Sequence, residues 1–291
     1  MKGNNPLISV IITTKNSSVT LSTLLKSIQK QSYKKIEIIV VDNNSSDKTV
    51  EIAKKFTKKV FNKGPERSAQ RNLGALKSKG KYLLFLDSDM ELGKKVIEEC
   101  VELSEKKGIE VIIIPEKTVG RGFIQTIRRF EREMYEGDSS IELARFYSKR
   151  VFVKARGFDE NLTGPEDYDL FYRVMKVAKA GRVKSYIYHH EEDLTLIKLL
   201  QKKFYYAKRG ALYAEKHPEL IRTQGLILFR KVYFKNWKKF VRRPVTGISF
   251  IFVRILETIW AVAGYISAVG IVNFLKKLIV VIFPNTGKTH D

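Results

Sequence analysis

Two carboxylates one residue apart, in Leu83-Leu84-Phe85-Leu86-Asp87-Ser88-Asp89, follow directly on an apolar run that reads as a strand. In an open α/β sheet the C-terminal ends of the strands border the binding crevice, so such a strand delivers Asp87 and Asp89 to it. Oxygen ligands of this kind suit Mg²⁺ or Mn²⁺, ions that complete their shells with water and substrate phosphates. A nucleoside diphosphate is then a natural co-ligand. Alone, the triplet is more often a turn or a helix cap. Its context adds to it, because Asp42 closes another strand-like run in Val40-Val41-Asp42-Asn43-Asn44-Ser45-Ser46-Asp47. An acid placed ahead of that turn can accept hydrogen bonds from a nucleobase or ribose, whereas Asp47 reads as the cap of the helix that follows.

These acids need a sheet to hold them. Residues 7–12 and 36–41 are short apolar runs rich in β-branched side chains, with a helical pattern over 21–31 between them, which is a βαβ unit. The spacing predicts further helices over 48–56, 67–79, 94–107 and 166–180, and strands over 82–86, 111–115 and 182–188. Residues 119–150 show no clear period. Strands that read as continuous apolar runs are buried on both faces, so the expected fold is α/β, with a Rossmann-like, mostly parallel sheet flanked by helices.

A chain of 291 residues, 44% hydrophobic, supports one main domain plus an appendage. Its net charge of +23 favours an anionic partner: nucleic acid, acidic lipid or phosphorylated substrate. The single cysteine, Cys100, cannot form an internal disulfide, which suits a reducing compartment. Residues 1–6 lack the apolar core of a secretory signal, so the catalytic part is expected to face the cytoplasm. Between residues 198 and 243, 14 Lys or Arg stand against Glu215 and Glu219, interleaved with aromatic residues. An apolar stretch over 248–274 follows, broken by Arg254 and Glu257 at pairing distance i,i+3. Aromatics among cations could bind single-stranded nucleic acid, but next to a long apolar stretch they form a membrane-anchoring pattern. A cell-membrane location with no nucleic-acid partner is therefore expected, and the tail either spans the bilayer or lies in its interface. The expected organisation is a transferase domain over 1–193, a basic juxtamembrane region over 194–244 and an apolar tail over 245–291.

Five ordered blocks resemble the inverting glycosyltransferase family 2, of the GT-A fold. They are Ser9-Val10-Ile11-Ile12-Thr13-Thr14-Lys15-Asn16, the stretch 27–49, Arg71-Asn72-Leu73-Gly74-Ala75, Leu86-Asp87-Ser88-Asp89, and Gly157-Phe158-Asp159-Glu160 followed by Gly164-Pro165-Glu166-Asp167-Tyr168-Asp169-Leu170. The resemblance covers residues 7–190. It implies transfer of a sugar from a UDP- or GDP-sugar, with inversion, and the membrane-anchoring pattern adds the expectation of a lipid-borne acceptor, a polyprenyl phosphate or a lipid-linked glycan. Thr13 and Asp42 would hold the nucleobase end of the donor, Arg71 would approach the nucleotide, and Asp87 would bind the ribose or assist the metal. Asp89 would ligate Mg²⁺ or Mn²⁺, and Asp167 would be the general base. In relatives a histidine near His189-His190 completes the metal site, and the sequence does not say which of the two points inward. Glu166 reads as a helix cap, and Asp169 with Arg173 as an i,i+4 structural pair. Thr13-Thr14-Lys15-Asn16 departs from the Pro and Tyr of many relatives, which leaves UDP against GDP open.

Two other readings stand beside this one. A nucleotidyltransferase is expected to show a Gly-rich, Lys-bearing phosphate loop near the N-terminus, where this chain has residues 13–18. A non-catalytic membrane-associated protein that binds nucleotide sugars would tolerate loss of Asp89.

Overall fold

A computed structural model describes residues 5–138, 141–217 and 230–282, with side chains as far as residue 276. The N-terminal β-branched runs become parallel neighbours, β1 (Ile8–Thr14) and β2 (Ile36–Asp42), linked through α1 (Leu21–Gln29). After α2 (Thr49–Lys54), β3 (Val60–Asn62) adds to the outer side of β2. α3 (Arg67–Lys77) then leads to β4 (Tyr82–Asp87), parallel to β1 on its other side. Next come β5 (Met90–Leu92), α4 (Val96–Lys107), β6 (Val111–Ile113), β7 (Glu116–Val119), α5 (Phe123–Tyr135), β8 (Ala144–Ser148) and α6 (Lys149–Lys154). They are followed by α7 (Glu166–Met175), β9 (Ala180–Arg182) and β10 (Ile187–His190).

Seven strands form the main sheet in the order β3-β2-β1-β4-β8-β6-β9, with β8 antiparallel to both neighbours and the other pairs parallel. The expected mostly parallel sheet forms, and β8 makes it mixed. Ile8, Val10, Ile12, Leu84 and Leu86 pack on one face against Leu21, Leu24, Leu25, Val96, Ile97 and Cys100. Ile11, Leu83 and Phe85 pack on the other against Ala75, Val151, Phe152, Phe158 and Leu170. Successive side chains of a strand point to opposite faces, so burial on both sides is why these strands read as unbroken apolar runs.

Three departures from the sequence reading have local causes. The helix predicted over 166–180 ends at Met175, and Ala180 already belongs to β9. The single strand predicted over 182–188 is two strands in different sheets. A turn divides them, at which the Lys184 and Ser185 amides and the Ser185 hydroxyl all donate to Glu99. β10 joins a small sheet in the order β5-β10-β7, antiparallel to β5 and parallel to β7. The unparsed stretch 119–150 holds α5, β8 and the start of α6.

By contact density the chain forms two units. The first comprises residues up to Glu160 together with Glu166–Glu192, and the second comprises Asn161–Pro165 together with residues from Asp193 onward. Described helices of the second unit are α8 (Leu196–Arg209), α9 (Ala211–Lys216), α10 (Lys231–Lys235), α11 (Trp237–Arg242), α12 (Pro244–Val269) and α13 (Ile271–Ile282). α12 has 26 residues and an 18-residue window of mean hydropathy 1.7, long and apolar enough to cross a membrane by length and composition. Its two charges, Arg254 and Glu257, are buried and pair with each other as their spacing suggested, and Lys203 Nζ on α8 lies 3.5 Å from Glu257. Part of the basic stretch, 218–229, and the chain end, 283–291, fall outside the described residues.

Candidate active site

Register between the central strands brings the polar ends of the chain's most apolar segments together. Thr13 on β1 stands beside Asp87 on β4, and Thr14 stands beside Asp42 on β2. Asp42 is buried and already well occupied. Its Oδ1 accepts from the Thr14 hydroxyl at 2.7 Å and the Ser45 hydroxyl at 2.6 Å, and its Oδ2 accepts from the Ser45 amide at 2.7 Å. Asp42 is therefore a fixed acceptor held in one orientation. Gln70 on α3 locks the same strand ends, its amide donating to the carbonyls of Thr14 at 3.0 Å and Val41 at 2.6 Å.

The centre of the site is Arg71, one of the largest fully buried side chains of the chain. α3 carries it against the sheet because Gly74, one turn on, lets the helix approach so closely that a Cβ there would collide with Ile11. One guanidinium nitrogen donates to Asp87 at 2.9 Å and another to Asp167 at 2.8 Å, with the Phe158 ring 5.0 Å from the guanidinium carbon. The adjacent Asn72 holds the segment before α7 by exchanging two hydrogen bonds with the backbone of Phe158, each 2.9 Å. Gly157, at φ 64°, makes the left-handed turn that permits it. Three sequence blocks thus converge on one guanidinium, and Asp87 and Asp167 are joined through it.

Glu166 is the first residue of α7. It is buried, 3.3 Å from Arg67 and 3.5 Å from Arg71. Burial and the neighbouring Asp167 raise its pKa in spite of those two arginines. Asp87 behaves in the opposite way, because although burial disfavours its charge, Arg71 and then Arg145 hold it well below the usual carboxylate range. Asp169 and Arg173 form the predicted pair, at 2.6 Å.

Asp89 lies beyond the end of β4, and the small sheet determines which histidine reaches it. β10 pairs with β5 so that His189 faces Met90, and the His190 amide donates to the Asp89 carbonyl at 2.8 Å. His189 Nε2 is then 3.1 Å from Asp89 Oδ2, whereas His190 turns to Glu91 at 3.0 Å and Glu192 at 3.1 Å. Of the two histidines, His189 is the one placed beside Asp89. Its Nδ1 lies 2.7 Å from Arg132 Nη2 and 3.4 Å from Glu116 Oε2, so the ring is held between this arginine and acid on one side and Asp89 on the other.

Behind the ring is an ionic lattice that the sequence reading passed over. Glu116 on β7 pairs with both Arg132 of α5 and Arg145 of β8, and Arg145 Nη1 reaches to 3.5 Å from Asp87 Oδ2. Despite burial, the two arginines drive the Glu116 pKa well down. The His189 and Asp87 sides of the site are therefore connected through Arg145 and Glu116. Among the described residues no three His, Cys, Asp or Glu side chains gather into a cation cage. The Asp89–His189 pair could give a divalent ion two ligands, the rest coming from phosphate and water.

The family model described as "Glycosyl transferase family 2" matches residues 9–158, just over half of the chain. Poly(ribitol-phosphate) beta-N-acetylglucosaminyltransferase TarS of Staphylococcus aureus is 32% identical over 131 residues, 41% of this chain and 22% of that protein. GalNAc(5)-diNAcBac-PP-undecaprenol beta-1,3-glucosyltransferase of Campylobacter jejuni is 28% identical over 224 residues, 72% of this chain and 64% of the relative. The chain thus spans less than two thirds of either. Residues 1–349 of S. aureus TarS superpose with a TM-score of 0.54 and 22% identity, covering 90% of this chain and 88% of that one. The Pyrobaculum calidifontis mannosyltransferase PcManGT, solved with GDP-Man and Mn²⁺, gives 0.56 at 13% identity, covering 97% and 82%. At these identities the structural matches speak for the shared GT-A fold.

Proposed function

The chain belongs to glycosyl transferase family 2, and we propose that it transfers a sugar, with inversion, from a UDP- or GDP-sugar to a hydroxyl of a lipid-linked glycan at a membrane. The convergence of Asp87 and Asp167 on the buried Arg71, with Asp89 and His189 at the adjoining strand end, supports this most directly. Thr13 and Asp42 hold the base end of the donor, and Asp87 its ribose. Arg71 acts as the buried strut that sets Asp87 and Asp167 in mutual position. Asp167, about a third exposed, accepts the proton of the acceptor hydroxyl as that oxygen attacks the anomeric carbon. The bond from that carbon to the diphosphate breaks, and the nucleoside diphosphate leaves with the electron pair.

Asp89, together with His189 Nε2 once its proton is released, would hold Mg²⁺ or Mn²⁺, which would offset the charge of the departing diphosphate. The comparison set supports both halves of the reading. A TarS structure holds UDP-GlcNAc, the mannosyltransferase holds GDP-Man and Mn²⁺, and the Campylobacter relative is named for an undecaprenol-linked acceptor. The length and apolar composition of α12 support the membrane part of the reading.

Thermal-shift screening of UDP- and GDP-sugars with and without Mn²⁺ tests the donor half. A shift of the unfolding temperature for one donor that requires Mn²⁺ is expected, and no response across the panel overturns it. Asp167→Asn tests the acceptor half. A fall in kcat of roughly 10²–10⁴-fold is expected for a hydroxyl acceptor. Full activity would remove Asp167 as base and indicate a phosphate acceptor, which is already ionised.

A further inference from the structure

α12 (Pro244–Val269) is built inside out for a helix in water. Gly247, Phe250, Val253, Arg254, Glu257 and Gly264 are buried, so both of its charges face inward. Val245, Ile248, Phe252, Ile255 and Ile259, at steps of three and four residues, are 41% to 78% exposed and make an uncharged outward stripe. An outward face of this kind fits lipid. Whether the helix crosses the bilayer is decided by what covers its inward face.

That cover is α8 (Leu196–Arg209), whose contact with α12 is the most extensive between any two helices described. Gly264 lies so close to the Phe204 backbone that a Cβ would strike its carbonyl oxygen, and Lys203 reaches Glu257 at 3.5 Å. α8 therefore runs beside the middle and later part of α12, the part that would occupy the bilayer interior if α12 crossed it. Yet α8 carries Lys198, Lys202, Lys208 and Arg209, all exposed and spread from one end to the other. Cations so placed belong in water or among headgroups, and they keep α12 at the same level. Lys238, Arg242 and Arg243, exposed just before α12, add positive charge beside the stripe.

We propose that α12 lies in the plane of one leaflet of an anionic membrane, its outward stripe in the acyl region and α8 on the water side, rather than spanning the bilayer. This deepens the membrane association proposed above and rests on it.

The two tryptophans, Trp237 and Trp260, allow a depth measurement on the full chain. In a spanning α12, Trp260 would come within about 5 Å of the bilayer midplane while Trp237 stayed at the surface. W237F and W260F each leave one reporter, and vesicles of phosphatidylglycerol and phosphatidylcholine with bromines at graded acyl positions report its depth. The expected result is shallow quenching at one common depth for both, with partitioning about tenfold weaker into purely neutral vesicles. Phe252→Asp, on the outward stripe, should weaken partitioning about tenfold or more while leaving Mn²⁺-dependent donor binding unchanged, which shows that the variant is folded. Deep quenching of Trp260 with shallow Trp237 overturns the in-plane arrangement and leaves membrane association standing. Absence of partitioning into either vesicle, including the case in which a dimer shields Trp260, overturns both.

Discussion

Arg71→Met is expected to destabilise the first unit by about 3–5 kcal/mol and to abolish transfer, because it removes the central cation from a buried ion cluster and leaves only the longer contacts from Arg67 and Arg145 to offset Glu166 and Asp87. Arg71 is 1% exposed by side chain and is shared by Asp87, Asp167 and Glu166. Of these Glu166, 2% exposed, is the acid least able to turn to water. The loss should appear as a lower midpoint of chemical unfolding with an unchanged denaturant slope. Arg71→Met combined with Glu166→Gln should recover part of the stability but none of the activity, since it removes the most buried acid of the cluster without restoring the link from Asp87 to Asp167. Arg71→Lys keeps the charge but loses the planar fork that reaches two acids at once, so it should fall between. A midpoint for Arg71→Met within experimental error of the parent would sink the strut role.

How much of this was legible beforehand depends on the range over which each signal acts. β1, β2 and β4 could be read because both faces of each are buried, and that leaves a continuous apolar run in the sequence. Asp42 and Asp87 could be read as site acids because each directly ends such a run. β3, β5, β6, β7 and β9 have three or four residues each, too few for a period to show. The partial success at β6 came from the buried Val111–Ile113 alone. α5 was missed although its apolar residues Ile124, Ile127, Phe130 and Met134 follow helical spacing, because Gln125 and Glu131 are buried among them. The lattice of Glu116, Arg132 and Arg145 was invisible for a different reason: its members lie 16 and 29 residues apart, and only the folded chain makes them partners. The one local cue was the pair Arg128 and Arg132, one helical turn apart on α5. Both approach Glu191, beside the histidines. The choice between His189 and His190 likewise needed the register of β10 against β5, which alternation along one strand cannot supply.

That register gives Asp87 and Asp89 different vulnerabilities, and it sharpens the expectation for each. Asp89, with a 42% exposed side chain against His189, contributes little to the folded state and should be replaceable without loss of stability. Asp89→Ala is therefore expected to unfold at the parent temperature and yet weaken Mn²⁺-dependent donor binding on the order of 100-fold, read by calorimetric titration of the donor with and without the ion. Asp87→Ala should show the reverse balance. It leaves Arg71 and Arg145 facing each other without the acid between them, so the unfolding temperature drops while whatever protein folds keeps a Mn²⁺ dependence. His189→Ala should follow Asp89→Ala with about 10- to 100-fold weaker ion-dependent binding. His190→Ala should stay near the parent, since its ring pairs with Glu91 and Glu192 instead. Equal loss of Mn²⁺ dependence from His189→Ala and His190→Ala would dissolve the Asp89–His189 pair as the ion's protein ligands, and a stability loss from Asp89→Ala equal to that from Asp87→Ala would remove the division of labour between the two acids.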